Sequence, residues 1–285
     1  MKQTFKLIQK YHCFFIRNMP QLKKGGVKMK VLASDYDGTL RISELVSEED
    51  KMAIANFRQA GNMFGIVTGR SMESLKMEIA KNQLAVDFII TNNGGVIYDC
   101  DGTLLECKYM DFNSALDIIS YIKTVNCVSY VINDGFHRYK FSVDENQIDH
   151  KYGNVAKTTE KEEHVLDRGK IAQIVISLND ETLSKEIAYY INTTFKDYVV
   201  AYVNVHCVYI VPVGVSKGEA LLYMETHLDL EHECIYSIGD SYNDLPMLQA
   251  FHGKTLTHAQ DEIKEYGFDV YDSVKDCIDD LMKNA

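Results

Sequence analysis

The chain has no apolar run approaching the ~18 residues of a membrane-spanning helix, which excludes such a segment. Its seven cysteines (Cys13, Cys100, Cys107, Cys127, Cys207, Cys234 and Cys277) are odd in number and contain no C-x-x-C pair. A disulfide framework and a structural zinc site are therefore set aside, and free thiols in a reducing cytoplasm are expected. Solenoid-type repeats are also missing. Positive charge is in short supply: 30 Lys and Arg face 41 Asp and Glu, a formal net charge of −11. A nucleic-acid binder would draw its affinity from the reverse balance. What is present is an ordinary globular composition, 46% hydrophobic and 25% charged, over 285 residues, enough for one large domain or two of usual size.

Acidic residues are wholly absent from residues 1–34, which carry Lys2, Lys6, Lys10, Arg17, Lys23, Lys24, Lys28 and Lys30. The longest apolar stretch there, Cys13-Phe14-Phe15-Ile16, falls short of the ~7–15 residues of a signal peptide core. Residues 1–28 are read as a basic extension outside the folded core, with a short amphipathic anchor as the rival.

From Met29 onward, short apolar runs alternate with helical stretches. Strands are predicted at Val31–Ser34, Met63–Val67 and Asp87–Thr91, with a helix opened by Ser47-Glu48-Glu49-Asp50 and another over Ser71–Asn82. This is the rhythm of βαβ units and a parallel sheet. Near Gly94 it changes to hairpins and isolated helices, and after Pro212 it returns, with a helix over Lys217–His227 and a strand at Ile235–Ile238. The expected fold is α/β: a Rossmann-like core from residues 29–95 and 211–285, interrupted by an inserted α+β domain over 96–210.

Four segments stand at predicted strand ends or helix starts, where open parallel sheets gather ligands. Asp35-Tyr36-Asp37-Gly38-Thr39-Leu40 offers two carboxylates beyond a strand, suited to Mg²⁺, nucleophilic attack or proton transfer, against a plain solvated turn. An EF-hand register fails, because its first ligand position falls on Ala33. Thr68-Gly69-Arg70 presents a hydroxyl for a phosphate oxygen or for a helix cap. In Gly214-Val215-Ser216-Lys217-Gly218, Lys217 opposes the dipole of the helix it opens, as a lysine kept for an anion would. Gly239-Asp240-Ser241-Tyr242-Asn243-Asp244 supplies hard oxygen ligands, or an ordinary acidic first turn. Asp99-Cys100-Asp101-Gly102-Thr103-Leu104 repeats the first motif's letters. At the distance where Thr68-Gly69 follows Asp35, however, Asp99 is followed by Ile132-Asn133-Asp134, so this copy is assigned to a hairpin turn.

Taken in order, the four segments resemble the motif signature of the haloacid dehalogenase-like (HAD) superfamily. Asn92-Asn93-Gly94-Gly95 and the placement of the insert resemble its Cof-type IIB phosphatase branch, whose cap is of C2B type. The resemblance implies a Mg²⁺-dependent phosphohydrolase acting on small phosphorylated metabolites, sugar phosphates foremost. It implies Asp35 as nucleophile and Asp37 as general acid and base. Thr68, Gly69, Lys217 and Asn243 would lie at the phosphate. Asp35, Asp37 (through its carbonyl), Asp240 and Asp244 would hold the metal. Arg70 ranks low as a phosphate contact, and Asn133, Asp134 and His137 are candidate cap contacts. A phosphomutase or phosphotransferase using the same aspartyl-phosphate, and a silent sugar-phosphate-binding regulator, are the alternatives. A cytoplasmic monomer or small homo-oligomer without nucleic-acid or membrane partners completes the expectation.

Overall fold

Val31-Leu32-Ala33-Ser34 is almost uniformly apolar, and such a strand is stable only with both faces covered. In the computed structural model, which describes residues 28–283, it forms β1 in the middle of a sheet with every residue buried. The basic extension, up to residue 27, lies outside the described residues. β2 (Met63–Val67) and β11 (Ile235–Ile238) flank β1 in parallel, with Ala33 level with Gly65 on one side and Ser237 on the other. β3 (Phe88–Thr91) lies beyond β2, while β12 (His252–Leu256) and β13 (Asp269–Tyr271) continue the parallel order beyond β11.

Alternation along β1 divides the core between two layers. Leu32 faces α1 (Glu48–Gln59), α2 (Met72–Asn82) and the closing helix α9 (Val274–Lys283), through Ile54, Phe57, Leu75 and Ile278. Val31 and Ala33 face α6 (Lys217–His227) and α7 (Leu245–Ala250), through Leu221, Met224, Met247 and Leu248. A short α8 (Asp261–Lys264) adds Ile263 to this second layer. Serines open three helices: the hydroxyls of Ser47 and Ser216 accept from the N–H groups of Asp50 and Glu219 at 3.0 Å, and Ser71 accepts from Ser74 at 3.4 Å.

At Asn92–Gly94 the chain reverses in a single 3₁₀ turn, and β4 (Val96–Asp99) returns antiparallel to β3, Thr91 opposite Val96. β5 (Leu104–Cys107) pairs with β4 and closes that edge. The expected boundary at residue 96 is therefore corrected, since this hairpin belongs to the first sheet. The repeated Asp99–Leu104 letters form its turn, where Asp99 Oδ1 accepts from the N–H of Thr103 at 2.8 Å.

The second sheet is antiparallel throughout, in the order β7 (Arg138–Ser142), β6 (Ser129–Asn133), β8 (Gln173–Ser177), β10 (Cys207–Pro212), β9 (Val199–Asn204). Tyr130, Ile132, Ile174, Ile176, Val208 and Ile210 pack under α3 (Phe112–Ile122) and α5 (Glu181–Thr194), with Val165 of the short α4 (Glu162–Leu166). The opposite face carries Val131, Val175, Cys207 and Tyr209, and turns toward the cleft described below.

Among the described residues no helix is long and apolar enough to cross a membrane. Cys107, Cys127, Cys207, Cys234 and Cys277 are free. Free thiols are thus found at these five positions, and Cys13 lies outside the described residues.

Candidate active site

β1, β2 and β11 end at one level, so the residues that follow them converge. Asp35 leaves β1 with its N–H bonded to the Ile238 carbonyl (2.9 Å), and Thr68 leaves β2 with its N–H bonded to the Ile90 carbonyl (2.9 Å). Gly38, at φ +90°, lets the first loop turn against Asp240, where a Cβ would stand 2.6 Å from a carboxylate oxygen. The Thr39 hydroxyl donates to Asp240 Oδ1 at 2.7 Å. Asp244 Oδ2 accepts from the N–H groups of Asp240 (3.1 Å) and Ser241 (3.0 Å), fixing the fourth loop.

Lys217 enters from the first position of α6. Gly94, at φ +102°, allows the Asn92–Gly94 turn to touch this helix start, since a Cβ would lie 2.1 Å from the Ser216 carbonyl oxygen. The side chain of Lys217 is 0% exposed. Its ammonium donates to Asp35 Oδ1 at 2.5 Å and to Asp244 Oδ1. This explains why a cation sits at a helix start: two buried carboxylates outweigh the dipole.

Asp35, Asp240 and Asp244 each offer a carboxylate oxygen, all within 4.8 Å of one another. Burial, then the charges of Asp244 and Asp240, hold the Asp35 carboxyl well above the usual carboxylate range, although Lys217 pulls it down. Burial and Asp244 push Asp240 up to about 6. Burial also works against the Lys217 charge, but Asp244 and Asp35 more than offset it and raise its pKa. Three carboxylates around one ammonium leave an excess of negative charge in a low-dielectric site. A hard divalent cation fits that donor set.

The side chain of Asp37 stands apart from this group. Burial would raise its pKa, yet Arg70 and Arg41 hold it down at about 2. Arg70 donates to Asp37 at 2.5 and 2.8 Å, and Arg41 at 2.5 and 3.1 Å. Asp35, Asp37, Thr68, Gly69 and Asn243 line one cleft of about 410 Å³, with Asp240, Asp244 and Lys217 packed at its base through the contacts above. Asn243 donates to Asn93 Oδ1 at 2.9 Å.

Of the candidate cap contacts, Asn133 reaches the cleft. Asp134 does not: its carboxylate accepts from the N–H groups of Phe136 (2.9 Å) and His137 (2.7 Å), and so shapes its own turn. His137 is exposed beside it and also misses the cleft. Sequence reasoning passed over Arg41, Asn93 and His258, whose Nε2 lies 2.7 Å from the Gly38 carbonyl, and did not foresee the pairing of Arg70 with Asp37. The Asn92-Asn93-Gly94-Gly95 string was the available signal for Asn93, whereas Arg41 and His258 carry none.

A family model of haloacid dehalogenase-like hydrolases matches residues 32–277. A 5-amino-6-(5-phospho-D-ribitylamino)uracil phosphatase of Bacillus subtilis is 28% identical, over 83% of this chain and 91% of its own. A phosphatase of the HAD superfamily from Bacteroides thetaiotaomicron superposes with a TM-score of 0.75 at 20% identity, covering 92% of this chain and 97% of its own. A subclass IIB sugar phosphatase does so with a TM-score of 0.75 at 15% identity, covering 89% and 99%. With the matched region running from β1 into the last helix, the chain is an enzyme of the haloacid dehalogenase-like hydrolase family.

Proposed function

We propose that this hydrolase is a Mg²⁺-dependent phosphatase of small phosphorylated metabolites, sugar phosphates foremost, working through a phosphorylated Asp35. The observation that carries the reading is the gathering of Asp35, Asp240 and Asp244 around the buried Lys217 ammonium. Asp35, Asp240 and Asp244, with the Asp37 carbonyl, would hold Mg²⁺, which when bound neutralises charge on the phosphate oxygens. The second sheet, with α3 and α5, acts as a cap over the cleft.

A carboxylate approaching a phosphate dianion is repelled, so the protein must supply positive charge and donors around the phosphoryl group. Lys217, 2.5 Å from Asp35 Oδ1, steadies the nucleophile and lessens its charge. The Thr68 hydroxyl, the Gly69 backbone and the Asn243 amide receive phosphoryl oxygens. An Asp35 oxygen forms a bond to phosphorus as the bond to the leaving oxygen breaks, and that oxygen takes a proton from Asp37. Water then attacks phosphorus, gives a proton to Asp37, and releases phosphate with the Asp35 carboxylate restored. Asp37 as found, held ionised by Arg41 and Arg70, is in the state that accepts the water's proton. To deliver a proton first, it must be released by Arg70, for which an incoming phosphate competes.

A screen of phosphate esters with Mg²⁺, reading released phosphate, tests the proposal. Turnover in the wild type and its loss in Asp35→Asn are expected. Wild-type rates in Asp35→Asn would overturn the nucleophile assignment.

A further inference from the structure

The charges lining the cleft are distributed unequally between its walls. On the first-sheet side, Arg41 and Arg70 are matched by Asp37, and Arg70 also by Glu78 at 3.4 Å. The second-sheet side, by contrast, contributes Arg138 and Lys151 and no carboxylate. Among the described residues neither the Arg138 guanidinium nor the Lys151 ammonium has an ion-pair or hydrogen-bond partner. Lys151 instead lies over the Tyr209 ring, 5.9 Å from its centroid. Both cations line the same cleft as Tyr152, and each favours ionisation of its phenol, against the burial and the neighbouring Tyr209 that raise its pKa. In a chain of net charge −11, two unmatched cations converging on a cleft are not accounted for by solubility.

The backbone that carries these cations is also held from beneath, while the Lys151 side chain itself is exposed. The loop carrying Lys151 and Tyr152 is anchored by Asp149, which is ion-paired with the buried Lys140 at 2.9 Å and accepts from the hydroxyls of Ser129 (2.6 Å) and Ser177 (2.9 Å). Lys140 further donates to the Tyr152 carbonyl at 2.5 Å. The backbone of Arg138 is tied by its N–H, which donates to Glu73 Oε2 of α2 at 3.1 Å. A network of this kind presets the backbone from which both side chains reach the cleft.

We propose that Arg138 and Lys151, with Tyr152, form a subsite for a second anionic group on the leaving portion of the substrate, a carboxylate or a second phosphate. The preferred substrates are then phosphate monoesters bearing two separated anions. The inference rests on the phosphatase reading and adds to it a charge requirement.

Two matched pairs test it with Mg²⁺ present: glucose 6-phosphate against gluconate 6-phosphate for a carboxylate, and fructose 6-phosphate against fructose 1,6-bisphosphate for a phosphate. In the wild type, kcat/KM for the doubly anionic member of at least one pair should exceed that of its partner by ~10-fold or more, chiefly through KM, and the excess should shrink with added salt. In Arg138→Gln/Lys151→Gln the ratio should fall to about 1, while Arg138→Lys, which keeps the charge, should retain part of it. Turnover without such a preference, or a preference that survives the double substitution, would overturn the subsite and leave the phosphatase reading intact. Absence of turnover with every ester, p-nitrophenyl phosphate included, would instead count against the phosphatase reading. The subsite is then judged by the thermal midpoint: a larger rise with the doubly anionic ester, lost in the double variant, supports it, and equal rises overturn it.

Discussion

A lysine with no exposed surface, bonded to two carboxylates, sets the charge balance of the cleft floor. Lys217→Met would preserve most of the volume and leave Asp35 and Asp244 buried without a counter-ion. Breaking a buried pair in this way costs about 3–5 kcal/mol, so the denaturant midpoint should drop markedly and turnover should vanish. Mg²⁺ acts on the same balance from the other side. If the three carboxylates hold it, saturating Mg²⁺ should raise the thermal midpoint, by the equivalent of about 2.7 kcal/mol at 100 times its dissociation constant. Asp240→Asn should remove most of that rise, and chelation should abolish wild-type turnover. An equal rise in Asp240→Asn would show that the cation binds elsewhere. At this scale the acids and Thr68 were legible because each follows an apolar strand run. Arg41 and His258 were not, because their partners, Asp37 and the Gly38 carbonyl, are met through loop geometry that spacing along the chain does not encode.

Among the elements, β1, β2 and β11 were legible as strands, since short, largely apolar runs followed by Asp35, Thr68 and Gly239 have few other uses. The polar interval after β7 was not. Its anchor, Asp149, pairs with Lys140, a lysine that in sequence looks like the solvent-facing residue of an alternating hairpin strand. That pair allows a pH prediction. Burial would raise the Asp149 pKa, but Lys140, the Ser129 and Ser177 hydroxyls and the Tyr152 N–H together lower it below the usual carboxylate value. The stabilisation is therefore full above the unfolded pKa of about 4, and is lost as pH falls through the lower folded value. Asp149→Ala should cost about 3 kcal/mol at neutral pH, measured by urea unfolding, and the gap to wild type should narrow below about pH 4. A gap independent of pH would mean that packing, and not the ionised carboxylate, holds the loop.

For the molecule as a whole, the interrupted βα rhythm showed that a second α+β unit lies between the two parts of the core. It did not show where that unit begins, because the β4–β5 hairpin alternates like an insert strand pair and only its pairing with β3 assigns it to the first sheet. The same hairpin helps to hold the two sheets together. The Tyr98 hydroxyl donates to the Gly135 carbonyl at 2.7 Å, the Glu73 N–H to the Phe136 carbonyl at 3.0 Å, and Glu73 Oε2 accepts from the Arg138 N–H at 3.1 Å. The turn before β7 is thus bonded to β4 and to the start of α2 at once, and these hydrogen bonds act beside the apolar contacts of Phe136 and Ala172 with the first-sheet core in orienting the second sheet over the cleft. Each such bond contributes about 0.5–1.5 kcal/mol, more where the acceptor is charged. Glu73→Ala should therefore leave the unfolding midpoint of the first sheet nearly unchanged. It should, however, speed amide exchange at Arg138 by about 10-fold and raise KM more than it lowers kcat, because the second-sheet wall is then less often in register with the cleft floor. Unaltered exchange at Arg138 together with unaltered KM would show that packing alone orients the second sheet.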